Sequence, residues 1–337
     1  MYTKESFCEF IFDSTYNNIK QIISNKNYLE FTIPKKNGFR KINYLPEDSG
    51  LALLQKKLSD RFLNKQDLPV CVKGFRRGES YNSFLYTHIG AKYFLRIDII
   101  SFFSSLTKEI VELELFDLIK RNVDDEVEDL VELICEIVTY NDSVPQGAYS
   151  SPIISNIVMA RIDQRITKYC QIFNVRYTRY ADDLLFSSSS FNFKEKRWFL
   201  RKIKYILSSK KLKVNYSKLK YAENEIVLNG YVISNKEIRL SRNRLHDIRR
   251  ITTFVDKNYH MNVEDKDEFL KGINDLNLKH YNIKENKFKT VFQVSQYLCG
   301  YRAFIISMLD KYHEDYRHQK ELRRLIRRIE KQIRRLS

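Results

Sequence analysis

Glycine and proline are scarce, with 9 and 5 among 337 residues, against about 7% and about 5% in an average protein. That excludes collagen-like, Gly-rich linker and Gly-stacked repeat designs, and it favours helices. The five cysteines (Cys8, Cys71, Cys135, Cys170, Cys299) are scattered, odd in number and without a C-x-x-C pair. A disulfide framework or a four-cysteine zinc site is therefore not expected, and a reducing cytosol fits. No apolar run approaches the ~20 residues that span a bilayer. The N-terminal MYTKESFCEFIF also lacks the basic-then-apolar order of a signal peptide. A soluble cytoplasmic protein with no membrane partner is the expectation.

What is present is a large core and a surplus of positive charge. Hydrophobic residues make up 43% and aromatics 13%, with 22 Tyr and 22 Phe, enough to exclude wholesale disorder. Lys and Arg number 59 against 42 Asp and Glu, a formal charge of +17. Such an excess points to a polyanion, nucleic acid or an acidic membrane face. Codon usage rich in Lys, Asn, Ile and Tyr would produce the same number, so charge alone leaves the partner open.

No repeat or low-complexity segment divides the chain. Residues 1–30 read as helical, and FTIPKKNGFRKINYLP (31–46), with its N-G turn, reads as a two-stranded hairpin. Helical spacing resumes over 50–65 and 107–140, and KYFLRIDIISFF (92–103) is a β-rich apolar run. VPQGAYSSP (144–152) is a loop leading into a helix at about 153–170, and VRYTRYADDLLFSSS (175–189) alternates like a hairpin with Ala-Asp-Asp at its tip. LKVNYSK and IVLNGYVIS, within 212–234, predict further strands, and the chain is helical and basic from about 240. In the last helix Leu322, Leu325, Ile326, Ile329, Ile333 and Leu336 form an apolar stripe, while Arg323, Arg324, Arg327, Arg328, Arg334 and Arg335 cover the rest. These arginines have few acidic partners at i±4, which makes them candidates for phosphate contact.

Two acidic sites each interrupt an apolar strand. Asp98 lies within Phe94-Leu95-Arg96-Ile97-Asp98-Ile99-Ile100, and Asp182-Asp183 lies between Tyr180-Ala181 and Leu184-Leu185-Phe186. A buried carboxylate costs several kcal/mol unless paired, hydrogen-bonded or bound to a cation. Adjacent aspartates repel each other, and an oxygen-seeking divalent ion is the simplest compensation. Three carboxylates from two strands could hold two Mg²⁺ ions ~4 Å apart, the arrangement that stabilises both oxygens of a phosphoryl transfer. A lone Asp-Asp is more often a turn that caps its own backbone. The flanking strands and the upstream Asp98 make the pattern more specific.

With these blocks in view, the chain resembles bacterial reverse transcriptases, most closely those of retrons. Seven segments appear in the family's order: IPKKNGFRKI (33–42), GFRRGES (74–80), RIDIISFF (96–103), VPQGAYSSPIISN (144–156), YTRYADDLLFS (177–187), VNYSK (214–218) and LNGYVIS (228–234). The resemblance implies a right-hand polymerase of α+β class, with an antiparallel palm sheet and a helical thumb. Fingers would take residues 1–90 with 107–140 packed on them, the palm 91–235 and the basic thumb 236–337. It makes Asp98, Asp182 and Asp183 the catalytic, metal-binding aspartates for two Mg²⁺ ions. Phe103 becomes the residue that stacks under the sugar and excludes a ribose 2′-hydroxyl, and Gln146 and Gly147 the pair along the incoming nucleotide. Arg40 and Lys36 would grip the triphosphate, and Lys218 matches a late palm lysine that could protonate departing pyrophosphate.

Two elements depart from the family pattern. Of the N-A-x-x-H element before the first aspartate, the segment Phe84–His88 keeps only His88, with Asn82 two residues early. Of the V-T-G element, Leu228-Asn229-Gly230 keeps only the glycine. Both are associated with recognition of the retron's own RNA, so the departures bear on which RNA is bound. With about 100 residues after the palm, a thumb is expected and an RNase H, integrase or toxin domain is not. The implied function is copying part of a cognate structured non-coding RNA into single-stranded DNA from deoxynucleoside triphosphates, in anti-phage defence. A separate effector protein is expected. The alternatives are another defence-associated reverse transcriptase, untemplated or protein-primed, and an idle RNA-binding scaffold.

Overall fold

The computed structural model describes residues 2–35, 38–123, 126–260, 265–279, 287–309 and 316–336, with the side chains of 34, 35 and 316–318 outside that description. Backbone contacts divide the chain into two units, Met1–Thr87 with Tyr93–Tyr221, and His88–Lys92 with Ala222–Ser337.

The first unit opens on two helices, α1 (Lys4–Phe12) and α2 (Tyr16–Ser24), where the sequence predicts one helical stretch. Thr3 and Thr15 cap them by accepting from the amides of Ser6 and Asn18, and Asp13, at φ 54°, ends the first. Strands β1 (Leu29–Lys35) and β2 (Gly38–Tyr44) then pair antiparallel from Leu29↔Tyr44 to Lys35↔Gly38, the hairpin that the N-G signal predicts. Helices α3 (Gly50–Arg61) and α4 (Tyr81–Tyr86) precede β3 (Tyr93–Asp98). The apolar run 92–103 leaves the strand after Asp98, because Ser101 takes φ 47° and Phe102 begins the short helix α5 (Phe102–Ser105).

Helices α6 (Lys108–Ile119) and α7 (Val127–Val138) fill the predicted helical region, and α8 (Ser151–Gln171) follows the 144–152 loop. Then come β4 (Arg176–Tyr180), β5 (Asp183–Ser188) and α9 (Arg197–Ser208). Strand β5 is central, antiparallel to both β3 and β4, and all six of its residues are buried. A strand covered on both faces reads as a continuous apolar run, which is why Leu184-Leu185-Phe186 shows no alternation. Helix α8 packs on β4 and α9. Strand β6 (Lys220–Glu223) is next to β3 in the order β4-β5-β3-β6. Residues 212–218 do not form the predicted strand. Val214 makes a single bridge to Ile99, and Tyr216–Lys218 is a 3-10 turn. There Asn215 Oδ1 accepts from the Ser217 amide at 3.2 Å and hydroxyl at 2.7 Å, a local side-chain bond that competes with a ladder.

The second unit carries a meander, β7 (Glu225–Leu228), β8 (Tyr231–Ser234) and β9 (Ile238–Leu240), followed by α10 (Arg242–Asn258), α11 (Lys266–Asn274), α12 (Val291–Leu309) and α13 (Tyr316–Leu336). Asn229 (φ 46°) and Gly230 (φ 85°) form the two-residue turn between β7 and β8. A Cβ on Gly230 would lie 2.0 Å from Arg244 Nε, whose guanidinium stacks 4.1 Å from the Phe304 ring. The glycine of Leu228-Asn229-Gly230 thus has a structural reason. His88 is fully buried, a packed histidine rather than an exposed one. No described helix is long and apolar enough to cross a membrane.

Phe199 anchors α9 on the first unit's core. It is fully buried, stacked on Tyr169 at 5.4 Å and edge-on to Phe186 at 5.5 Å. Phe199→Ala is expected to cost about 3–5 kcal/mol of stability, read from urea denaturation. A loss below about 1 kcal/mol would contradict this packing.

Candidate active site

The register of β3 and β5 sets Asp98 directly opposite Asp183, and Asp183 also faces Tyr180 on β4. Ala181 and Asp182 form the turn between β4 and β5. Ala181 sits at φ 53°, a left-handed conformation that a small side chain tolerates better than a large one. Main-chain bonds tie the turn to the residue after β3, and the end of β3 to Asn215. The Ile99 amide donates to Asp182 O at 3.1 Å, and the Asn215 amide donates to Asp98 O at 2.8 Å.

Behind the turn lies a fully buried ion pair. Arg179 Nε donates to both oxygens of Asp163 on α8 at 3.0 Å, and Nη2 to Oδ2 at 2.8 Å. The remaining donors reach Ala181 O at 3.1 Å and Asn156 Oδ1 at 3.1 Å, and the Tyr177 hydroxyl adds a 2.7 Å bond to Asp163. Burial pushes the Tyr177 phenol well above its usual range. The 71–74 segment is drawn in as well. Lys73 N donates to Arg179 O at 2.8 Å, Arg179 N to Cys71 O at 2.8 Å, and Asn156 Nδ2 to Gly74 O at 2.9 Å. A Cβ on Gly74 would lie 2.7 Å from Ala181 N, so the segment can approach the turn only as glycine.

Each carboxylate is held differently. Asp98 accepts from Asn215 Nδ2 at 3.0 Å and from Lys218 Nζ at 2.9 Å, one on each oxygen. Asp183 receives Arg96 Nε at 2.8 Å and Nη2 at 2.6 Å, both on Oδ1. Among the described residues no other side chain hydrogen-bonds to Asp182. Burial and the neighbouring Asp98 raise its carboxyl, against the pull of Lys218 and Arg40. Burial pushes Asp183 up to about 6, against the Arg96 guanidinium.

That mutual repulsion, together with all-oxygen donors, fits a hard divalent cation. Among the described residues the three carboxylates do not stand as a closed metal cluster, and Lys218 and Arg96 are paired with two of them.

Around this centre, the Asn43 amide on β2 donates to Gln146 O at 2.8 Å. Gly147, at φ 122°, touches Asn43 and Ile42 so closely that a Cβ would lie 2.7 Å from each. The hairpin bearing Arg40 and the loop bearing Gln146 are thereby one assembly. Phe103 is half-buried with its ring 6.3 Å from that of Phe75, while Phe102 is buried. Lys36 lies outside the described residues.

A family model described as reverse transcriptase (RNA-dependent DNA polymerase) matches residues 33–237. The chain belongs to the reverse transcriptase family. Curated relatives that it matches include retron reverse transcriptases. It is 30% identical over 226 residues to the retron Ec86 reverse transcriptase of Escherichia coli, covering 66% of this chain and 68% of that one. It is 29% identical to the Ec83 enzyme of the same species, over 50% of this chain and 56% of that one. It is 26% identical to the Mx65 enzyme of Myxococcus xanthus, over 48% and 40%. Among solved structures, telomerase from Candida albicans aligns with 91% of this chain and 59% of its own at 14% identity and TM-score 0.46.

In this reverse transcriptase the structure brings together Asp98, Asp182, Asp183 and Lys218 directly, and places Arg40 where its charge reaches Asp182. Of the terminal arginines, Arg323, Arg324, Arg327, Arg328 and Arg334 are exposed. Arg335 is instead paired with Asp256 and stacked 4.5 Å from Tyr259, and Arg328 donates to Thr253 Oγ1 at 2.6 Å. Sequence reasoning missed Arg96, Asn215, Arg179 and Asp163. Arg96, two residues before Asp98 on the same strand face, carried a signal, since a charge in an apolar strand requires a partner.

Two outcomes follow from this geometry. Asp163→Ala leaves Arg179 buried without its counter-ion and should cost about 3–5 kcal/mol; a urea midpoint equal to wild type would contradict it. The second concerns Asp183, whose carboxyl is raised in the fold relative to an unfolded value of ~3.9. Between about pH 4 and pH 6 the folded state keeps a proton that the unfolded state has lost, so stability falls as pH rises through that window. In EDTA, the stability difference between wild type and Asp183→Asn should therefore move against wild type from pH 4 to pH 6. A difference independent of pH would refute the assignment.

Proposed function

We propose that this reverse transcriptase copies part of a cognate structured RNA into single-stranded DNA, with Asp98, Asp182 and Asp183 holding two Mg²⁺ ions. The observation that carries this is the pairing of Asp98 with Asp183 across β3 and β5, beside the Asp182 turn and the joined Arg40 and Gln146 segments. Bound there, the ions would supply Lewis acidity to the attacking and leaving oxygens of the transfer. The chain's own groups do the rest. Arg40, with Lys36, grips the triphosphate oxygens through fork and point charges. Gln146 and Gly147 lie along the nucleotide, the glycine allowing close approach of backbone. Phe103 sits under the sugar and leaves no room for a 2′-hydroxyl. Lys218, now 2.9 Å from Asp98, supplies a proton to the departing pyrophosphate.

We assign the fingers to residues 1–90 with 107–140, the palm to 91–235 and the thumb to 236–337. The exposed arginines of α13 serve as phosphate contacts on RNA and on the RNA–DNA product. A defence role with a separate effector protein, in the cytoplasm, completes the reading, supported by the retron relatives.

The test is templated synthesis. Purified protein with its co-purified RNA, Mg²⁺ and deoxynucleoside triphosphates should yield DNA attached to RNA and complementary to it. The double variant Asp182→Asn/Asp183→Asn should lose synthesis by at least about a thousandfold, because the charge stabilisation of the transition state is removed, while RNA binding stays within about threefold. DNA made without RNA would favour an untemplated enzyme, no synthesis by wild type would favour a scaffold, and synthesis by the variant would sink the aspartate assignment.

A further inference from the structure

The positive charge of this chain is not confined to the aspartate cleft and α13. Residues 194–213 hold nine Lys and Arg and a single acid, Glu195. Helix α9 runs through this segment, with Phe199, Ile203, Ile206 and Leu207 buried against the core. Its outer face exposes Arg197, Arg201, Lys202, Lys204 and Tyr205.

Lys210 and Lys211, just beyond the helix, are neutralised by Glu114 and Glu109. Among the described residues no carboxylate pairs with Arg197, Arg201, Lys202 or Lys204. Arg197 and Arg201 stand at i,i+4 and Arg201 and Lys204 at i,i+3, like-charge spacings that cost helix stability. A face that served only to solvate the helix would gain from interspersed acids.

Aromatic rings alternate with the cations. Tyr205 is 64% exposed and Tyr216 56% exposed. Lys202 lies 4.9 Å from the Tyr205 ring and Lys204 5.1 Å from the Tyr216 ring. Exposed tyrosines among cations suit unpaired bases, whose faces stack on the rings while phosphates meet the charges. A membrane surface fits less well, since the apolar face of α9 is committed to the core and cannot enter lipid.

We propose that the outer face of α9, with Tyr205 and Tyr216, is a second RNA-binding surface, beyond the aspartate cleft, that holds an unpaired segment of a structured RNA. The proposal rests on the reading of this chain as an RNA-copying enzyme. Its effect is on RNA retention rather than on chemistry.

The test uses a labelled 25-nucleotide single-stranded RNA, titrated at several salt concentrations. Arg201→Gln/Lys202→Gln/Lys204→Gln should bind about tenfold more weakly at 150 mM salt, with a log–log salt slope smaller by about 2. Tyr205→Ala should bind about tenfold more weakly with the slope unchanged, because stacking displaces no counterions. Both variants should extend a short primed RNA–DNA hybrid at the wild-type rate, which also shows that they fold. Wild-type affinity and slope in the triple variant would overturn the proposal. So would retained RNA affinity with loss of binding to phosphatidylserine vesicles, which would mark a membrane contact. If wild type makes no templated DNA, the enzymatic reading fails, while a loss of affinity in the variants still identifies α9 as an RNA surface.

Discussion

The Asp163–Arg179 ion pair is the interaction on which the aspartate-bearing region depends. Both side chains are fully buried, so the cost of removing two charges from water is offset only because nearly every donor and acceptor is used. That requirement fixes more than two residues. Arg179 reaches Ala181 at the aspartate turn, Asn156 on α8, and through its own backbone the 71–74 segment. A shift of α8 relative to β4 would break several of these bonds together. The left-handed Ala181 and the close approach of Gly74 are held by the same constraint. The network stiffens the turn that presents Asp182 without placing any further charge among the aspartates.

Within the cleft the electrostatic problem is of opposite kind, too many like charges in a partly buried place. Lys218 and Asn215 hold Asp98, Arg96 holds one oxygen of Asp183, and among the described residues Asp182 has no side-chain partner. The three carboxylates are thus held unequally. Asp182 and the second oxygen of Asp183 are, among the described residues, the least committed, and burial, with the neighbouring carboxylates, raises both carboxyls. Arg96 keeps Asp183 from rising further. It also means that the third aspartate has a protein cation within hydrogen-bonding distance, so its role combines charge with anchoring β5 to β3.

Much of this was legible in the sequence, and the reasons for success and failure are local. Asp98 and Asp182-Asp183 were visible because a charge in an apolar strand has few innocent explanations. The hairpin at 29–44 follows from its N-G turn, whereas that at 176–188 is marked by the Ala-Asp-Asp tip between strands, since the buried β5 lacks the alternation expected of it. Residues 212–218 misled because Val-Asn-Tyr-Ser reads as β by composition, while the Asn215 side chain turns the chain locally. Asp163 was hidden for another reason. It lies in a helix whose polar and apolar residues both end up buried, and its partner is 16 residues away on a strand. The Gly147 contact with Asn43 and Ile42 joins segments some hundred residues apart, and spacing alone does not show it. His88 shows the converse, since a residue suggested by resemblance as an RNA contact is buried.

The surplus charge of +17 is uneven in what it can do. On α13, where the sequence concentrates arginine, Arg335 is spent on Asp256 and Tyr259 and Arg328 contacts Thr253, so part of the charge secures α13 to α10. On α9 the count is smaller, but among the described residues none of the four outward cations has a carboxylate partner, and two lie over exposed rings. A cation already paired releases few counterions when a phosphate arrives, whereas an unpaired one contributes its full share. Judged by available rather than formal charge, the outer face of α9 is at least as strong a candidate for polyanion contact as the arginine-rich end of the chain.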